Sequence, residues 1–209
     1  MSGLLIKVCG LTLESDLLFC QESGVDLTGF IFHPESPRFV SPDMVGSWKK
    51  KREIRVGVFV RHSPAEIIKI IDRAELDLVQ LHGDQKPEDC MAVGKDRVIR
   101  AFWPERFNSL EDFQMELELF RDTCRYFLFD SGKSAGGHGR RITSPWIRGI
   151  DSPRPFFLAG GLGPDNAGKA LNMGMAGIDL NSGVEKNPGR KDWKKIEQVI
   201  NILRVKSKK

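Results

Sequence analysis

The sequence predicts a single-domain (β/α)8 barrel, and three observations on its 209 residues support this fold class. Eight short runs rich in apolar residues recur along the chain. Segments with helix-start signals lie between them, an alternation typical of parallel sheets. Polar residues or glycines follow nearly every run, and this is where barrels carry their functional groups. The chain length lies at the compact end of the barrel range, which begins at about 200 residues.

The eight predicted strands are nearly continuous apolar runs, as expected of parallel strands covered by helices on their outer face. In chain order they are Leu4–Cys9, Leu27–Phe32, Arg55–Val60, Leu76–His82, Val98–Trp103, Tyr126–Asp130, Phe156–Ala159 and Gly177–Asn181. An open, doubly wound sheet is the alternative. That architecture seldom needs eight evenly spaced units, and the first turn lacks the G-x-G-x-x-G pattern of dinucleotide-binding sheets.

The intervening helices are predicted from their first residues. Ser63–Glu66 reads SPAE, a capping box with proline at the first helical position. Ser41–Asp43 and Ser109–Asp112 begin two further helices with the same kind of signal. The last helix is predicted from an apolar stripe made of Trp193, Ile196, Val199, Ile200 and Leu203. No long linker interrupts the alternation, so residues 1–209 are predicted to form one domain with a basic, frayed tail from about residue 204.

Composition excludes several classes of protein. Hydrophobic residues make up 40% and charged residues 29%, as in ordinary globular domains. No apolar run is long enough for a membrane span and no secretion signal is visible, so a cytoplasmic location is expected. The net charge of +4 comes largely from the terminal run RVKSKK, which is typical of a solvated end. Because no basic patch is interleaved with aromatic residues, nucleic-acid binding is not expected.

The cysteines and histidines are scattered. Four of each are present, without a C-x-x-C pair and without histidines at metal-ligand spacing. Free thiols are therefore expected rather than disulfides, and no metal site is predicted. Cys20, Cys90 and Cys124 lie in helical or pre-strand stretches, where they are interpreted as packing residues.

Two glycine-rich loops follow the seventh and eighth predicted strands. Gly160 and Gly161 belong to AGGLGPDN, and Ser182 and Gly183 belong to NSGVE. Glycine lets backbone N–H groups approach an anion, and barrels often hold a phosphate between these two loops. Either loop alone could be only a tight turn. Together they predict a phosphate site.

Two strand ends carry groups that can move a proton. Asp130 follows four apolar residues, where a carboxylate must find hydrogen bonds or face a cleft. It could cap the following loop or act as a general acid or base. Cys9 could be a small core residue, but its place at the first strand end beside Gly10 favours a catalytic role. Nearby backbone N–H groups and Lys7 are expected to lower the pKa of its thiol.

These residues lie within a longer set of motifs that resembles one known family. The motifs, from Lys7 to Asp192, are KVCGLT, GFIFHPESPR, VGVFV, VQLHGD, FLFDS, GGHG, LAGGLGPDN and GIDLNSGVEKNPGRKD. In this order they resemble phosphoribosylanthranilate isomerases, the aminoaldose–ketose isomerases of tryptophan biosynthesis. The resemblance covers nearly the whole chain. It implies a phosphate-binding barrel without a cofactor.

The resemblance also implies roles for individual residues. Asp130 would be the general acid that opens the ribose ring of N-(5-phosphoribosyl)anthranilate, and Cys9 the general base that removes the C2 proton. Arg38 matches the family arginine near the anthranilate carboxylate, a role that its planar fork suits. It could instead pin its own turn. His82 would line the same mouth. The implied partner is the small-molecule substrate, with contact to other tryptophan-pathway enzymes left open.

The chain departs from the family pattern mainly in one loop. The family usually has a stretch like GGxGKTFDW after the acid, whereas Gly136–Ile147 reads GGHGRRITSPWI. Three alternative functions are compatible with a phosphate-binding barrel. An indole-glycerol-phosphate synthase would need a catalytic lysine, and an epimerase would need carboxylates around a metal. A non-catalytic sensor of phosphoribosyl ligands would not need both Cys9 and Asp130.

Overall fold

The strands close into one barrel. The computed structural model describes residues 4–130 and 149–206, and its eight parallel strands pair in sequence order until β1 meets β8. The strands are β1 (Leu5–Val8), β2 (Leu27–Ile31), β3 (Ile54–Phe59), β4 (Leu78–Leu81), β5 (Val98–Phe102), β6 (Tyr126–Phe129), β7 (Phe156–Leu158) and β8 (Gly177–Leu180). The predicted barrel is confirmed, with each strand within two residues of its expected bounds. The closed sheet rules out the doubly wound alternative.

Seven α-helices lie among the described residues. They are α1 (Glu14–Ser23), α2 (Pro42–Ser47), α3 (Pro64–Ala74), α4 (Pro87–Val93), α5 (Leu110–Leu119), α6 (Ala167–Ala170) and α7 (Trp193–Lys206). The predicted caps are confirmed, because the side chains of Ser41, Ser63 and Ser109 accept hydrogen bonds from the first turns of α2, α3 and α5. Ser63 and Glu66 form the reciprocal capping box.

The core has two parts. The larger one fills the space between the strands and the helices. The smaller one lies inside the barrel, where its side chains come mostly from the first halves of the strands; it includes Leu27, Val56, Leu78, Ile99, Leu128 and Phe157. Because side chains alternate along a strand, residues two positions further on also face inward. There the interior turns polar, with Lys7, Gln80 and Asp179 all buried.

Helix α7 packs against α1. Trp193 donates a hydrogen bond from Nε1 to Asp16 of α1 (2.7 Å) and stacks on Phe19 at a centroid distance of 4.8 Å. Trp193 is 44% exposed, so it lies at the edge of the predicted stripe, whereas the other four stripe residues are buried. The helix continues to Lys206, past the position from which a frayed tail is predicted.

A short hairpin that the sequence did not predict follows β8. Its strands are β9 (Glu185–Asn187) and β10 (Arg190–Lys191), and they pair antiparallel. Gly189 between them has a φ of 80°, in the left-handed region that favours glycine. The hairpin brings Glu185 and Lys191 to the barrel mouth, where both are buried.

Candidate active site

The pocket lies at the carboxyl ends of the strands. Its volume is about 500 Å³, within the range of small-molecule sites. Seven of the eight predicted site residues line it: Cys9, Arg38, His82, Asp130, Gly160, Gly161 and Ser182. Gly183 lies behind this wall, where a Cβ would come within 2.1 Å of the Leu162 carbonyl oxygen. The structure thus brings together the predicted acid, base and phosphate loops.

Two glycines allow Cys9 to occupy its position. Gly10 has a φ of 73°, and a Cβ there would lie 2.7 Å from Arg38 Cδ and 2.8 Å from Asn181 Oδ1. On β2, a Cβ at Gly29 would lie 2.8 Å from Cys9 Sγ. The chain must therefore turn immediately after the thiol, and the neighbouring strand must lack a side chain beside it. The sequence analysis identified the first of these glycines and missed the second.

A buried ion pair lies one interior layer below Cys9. Lys7 Nζ is 3.0 Å from both carboxylate oxygens of Asp179, and both side chains are nearly inaccessible to solvent. Burial alone would lower the pKa of Lys7, but the charges and hydrogen bonds of Asp179 and Cys9 together outweigh it and raise that pKa. The ammonium group is therefore held charged beneath the thiol.

The expected depression of the Cys9 pKa is wrong in direction. Burial is the dominant influence and raises the pKa of the thiol. The ammonium groups of Lys7 and Lys191 act to lower it, and the Asp179 carboxylate acts to raise it. The sequence suggested only the influence of backbone N–H groups and Lys7, and not the desolvation of a thiol that is 3% exposed.

Asp130 lies beside the imidazole of His82. His82 Nε2 lies 3.3 Å from Asp130 Oδ2, and both side chains are partly exposed in the pocket. On the other side of the ring, His82 Nδ1 lies 2.9 Å from the amide nitrogen of Gln80. Trp103 contacts the ring edge-to-face, at a centroid distance of 5.2 Å. The imidazole beside the carboxyl group is therefore itself fixed by residues at the ends of β4 and β5.

Arg38 is fixed by the hairpin. Its Nε and Nη2 atoms contact both oxygens of Glu185 at 2.7–3.2 Å, and Lys191 Nζ lies 2.8 Å from the same carboxylate. Burial would raise the pKa of Glu185, but hydrogen bonds from Arg38 and the charge of Lys191 outweigh it and lower that pKa. Within the described residues, the Nη1 atom of Arg38 has no acceptor, so it is available to a ligand.

The two glycine-rich loops present unpaired backbone donors. The N–H groups of Gly160, Gly161, Ser182 and Gly183 have no acceptor in residues 4–130 and 149–206. Gly160 and Gly161 have φ values of 105° and 59°. Asn166 shapes the first loop, accepting from Gly163 N (2.8 Å) and donating to Gly161 O (3.0 Å). Grouped N–H donors of this kind form an anion-binding surface.

Sequence reasoning missed several polar residues of the site. They are Gln80, Trp103, Asp179, Asn181, Glu185 and Lys191. A signal existed for two of them, because Gln80 and Asp179 interrupt apolar strands at inward-facing positions. The hairpin residues gave no such signal, since their positions depend on how the chain folds back after β8.

Four remaining expectations concern the divergent loop, metal binding, membrane spans and the cysteines. The divergent loop Gly136–Ile147 lies outside the described residues. In the described part, no group of three His, Cys, Asp or Glu side chains could hold a metal ion. Within the same residues, no helix is long and apolar enough to cross a membrane. All four cysteines are free and buried.

Comparison with known proteins gives consistent matches along the chain. Residues 6–202 match the family model described as N-(5'phosphoribosyl)anthranilate (PRA) isomerase. A relative from Maridesulfovibrio salexigens, named N-(5'-phosphoribosyl)anthranilate isomerase, is 45% identical over 195 residues, which cover 93% of this chain and 95% of the relative.

Solved structures agree with this match. The crystal structure of phosphoribosyl anthranilate isomerase from Thermotoga maritima has a TM-score of 0.85 and 32% identity, covering 97% of this chain and 99% of that one. Another crystal structure of a phosphoribosyl anthranilate isomerase, in complex with reduced 1-(o-carboxyphenylamino)-1-deoxyribulose 5-phosphate, has a TM-score of 0.79 and 30% identity, covering 97% of this chain and 99% of that one.

Proposed function

The chain belongs to the N-(5'-phosphoribosyl)anthranilate isomerase family, and we propose that it performs the reaction of that family with Asp130 as general acid and Cys9 as general base. It is an isomerase of tryptophan biosynthesis. The observation that carries the proposed roles is geometric. A carboxyl group and a thiol line the same pocket as two loops with unpaired backbone donors.

Asp130 acts first in the proposed sequence. Its proton goes to the ribose ring oxygen, and the bond between C1 and that oxygen breaks as the anilino nitrogen lone pair forms a C=N bond. The products of this step are an open-chain protonated Schiff base and the Asp130 carboxylate. His82 Nε2, 3.3 Å from Oδ2, is placed to stabilise that carboxylate with a hydrogen bond.

Cys9 acts second, in its thiolate form. It takes the proton from C2, and the electrons of the C–H bond flow into the Schiff base to give an enolamine. Tautomerisation of the enolamine then gives the ketose. The substrate nitrogen serves as the electron sink throughout, so the scheme needs no cofactor. Lys7 and Lys191 favour the thiolate that this step requires.

The product analogue in the related structure has two charged groups, a phosphate and a carboxylate. We propose that in this protein the substrate phosphate is bound by the loops that contain Gly160, Gly161, Ser182 and Gly183. The free Nη1 edge of Arg38 would meet the carboxylate on the aromatic ring, a geometry that guanidinium groups favour. The ligand would then span the pocket between β7–β8 and β2. All eight residues predicted from the sequence therefore have a role in the proposed site.

A coupled fluorescence assay tests the function directly. Phosphoribosylanthranilate generated in situ should lose its emission when the purified protein is added. Unchanged emission would refute the proposed reaction. The retained Cys9 and Asp130 argue against a non-catalytic sensor, and neither the synthase nor the epimerase alternative uses this pair. Contact with other tryptophan-pathway enzymes stays a prediction. We also propose a cytoplasmic location, which suits four free, buried thiols.

Replacing Gly161 with alanine is expected to raise KM about tenfold or more, because hydrogen bonds to a charged ligand contribute about 1.5–3 kcal/mol each. It should also weaken the protection that inorganic phosphate gives against thermal unfolding. Gly174→Ala is the matched control, since Gly174 has a similar φ of 66° against 59° and lies away from the pocket. Equal phosphate protection in both variants would place the anion elsewhere.

The pH profile should reflect the buried thiol. Because burial raises the pKa of Cys9 and the thiolate is the working base, kcat/KM should still increase with pH beyond the ordinary thiol value of about 8.5. Inactivation by iodoacetamide should follow the same limb and be slowed by a product analogue. A plateau in kcat/KM already reached below neutral pH would contradict this assignment.

A further inference from the structure

We propose that Gln80 is a positioning residue that fixes the tautomer of His82 and thereby directs the proton of Asp130 toward the substrate. This inference rests on the proposed role of Asp130 as the general acid. It assigns a function to a buried side chain that the acid–base scheme leaves unused. The observation behind it is a continuous chain of three polar groups, from Gln80 through His82 to Asp130.

The first contact selects the tautomer. Gln80 and His82 are two residues apart at the end of β4, so both side chains face the barrel interior. Gln80 is 2% exposed, and its Nε2 lies 2.9 Å from His82 Nδ1. An amide NH2 group can only donate, so Nδ1 must accept and the hydrogen of the neutral ring lies on Nε2. An imidazolium would place a second N–H against the amide hydrogens.

Gln80 has no competing contact at its other end. Its Oε1 is buried and has no partner in the part of the chain that the structure describes. The contact with His82 is therefore the one that orients the amide. The ring of Trp103 also contacts the imidazole and limits its rotation, with an interplanar angle of 79°. The histidine is held from two directions.

The second contact sets the role of Asp130. With its hydrogen on Nε2, His82 presents that N–H toward Asp130 Oδ2, 3.3 Å away, and the contact has to tighten only slightly to become a hydrogen bond. The transferable proton of the acid must then reside on the other oxygen, Oδ1. After the proton has moved to the ribose ring oxygen, the same N–H remains to stabilise the carboxylate. His82 thus stabilises the Asp130 carboxylate that the proton transfer leaves, and it does not accept the proton itself.

The other tautomer would have the opposite effect. A bare Nε2 is an acceptor, and a protonated Asp130 would donate its proton to it at Oδ2. The acid would then be turned toward the protein rather than the substrate. Since the two tautomers of a free imidazole differ little in energy, one fixed hydrogen bond at Nδ1 is enough to decide between them.

The proposal is tested by nitrogen NMR and by kinetics. In protein with 15N-labelled histidine, His82, assigned by its loss in His82→Asn, should show a protonated Nε2 and an unprotonated Nδ1. Gln80→Glu replaces the donor with an acceptor and should move the hydrogen to Nδ1. We expect kcat to fall about 10–100-fold, as when partners that orient functional histidines are removed, with KM little changed.

Two further variants separate orientation from packing. Gln80→Met keeps the side-chain volume and offers neither donor nor acceptor, so it should give mixed tautomers and an intermediate loss of kcat. Gln21→Met is the matched control, because it removes a glutamine amide that donates hydrogen bonds on helix α1, to Lys49 O and Glu53 Oε1. It should change neither the His82 signals nor kcat.

These measurements test the role of Gln80 separately from the acid role of Asp130. A wild-type His82 with its hydrogen on Nδ1, or a folded Gln80→Glu variant with wild-type kcat, would overturn the inference about Gln80. If Gln80→Glu does not fold, the wild-type tautomer and Gln80→Met still decide the question. The acid role is tested by the activity of Asp130→Asn. The tautomer of His82 is measured by NMR without turnover, so its result does not depend on that role.

Discussion

Cys9→Ser is expected to reduce kcat by at least about 10²-fold while the barrel stays folded, because the base proposed to take the C2 proton is lost. Serine has nearly the same size and can occupy the space that Gly29 leaves beside Sγ. Its hydroxyl is far harder to deprotonate than a thiol, even with Lys7 beneath it. The loss should therefore appear in turnover and not in the melting curve.

The other buried cysteines provide the control. Cys20 is fully buried, and burial raises the pKa of its thiol to about 12. Cys20→Ser should keep the wild-type kcat even if its melting temperature falls. A folded Cys9→Ser variant with near wild-type kcat would show instead that Cys9 only packs the top of the barrel.

Asp130→Asn is expected to lower kcat by about 10²–10⁴-fold, the usual contribution of general acid catalysis. Asparagine keeps the shape of the side chain and its oxygen can still face His82 Nε2. It has no proton that it can give to the ribose ring oxygen. KM should change little, since substrate binding is proposed to depend on the phosphate loops and Arg38.

Asp84→Asn is the matched control for Asp130→Asn. Asp84 is a carboxylate on the rim of the same pocket, but it is 91% exposed and paired with Arg106 at 3.3 Å. Removing its charge should alter kcat less than about twofold, as for most exposed ion pairs. If the two variants lose activity equally, charge at the mouth matters and proton donation by Asp130 does not.

The fold could be predicted because each strand and helix signal is local. Apolar runs, serine caps and glycines at strand ends depend on neighbours within a few positions, and all eight strands follow from them. Cys9 and Asp130 could be predicted for the same reason, since the carboxyl end of a strand is a position in the sequence. The barrel geometry then brings these ends to one pocket.

The partners of these residues could not be predicted in the same way. The contact between Lys7 and Asp179 joins residues 172 positions apart, and it exists only once β1 lies against β8. The pKa of Cys9 depends on how completely the loops bury it, which no local pattern states. Glu185 reaches Arg38 through a hairpin whose register is set by contacts far away in the chain.

The closure of β1 against β8 also determines when this enzyme can become active. During synthesis on a ribosome, Cys9 emerges well before β8, the barrel strand that completes its surroundings. Contacts between such distant segments are slow to form, because a long loop must first be closed. Asp179 and Asn181 lie on one side of this seam and Cys9 on the other. Recovery of catalysis in a refolding experiment is therefore expected to follow the closure of this seam.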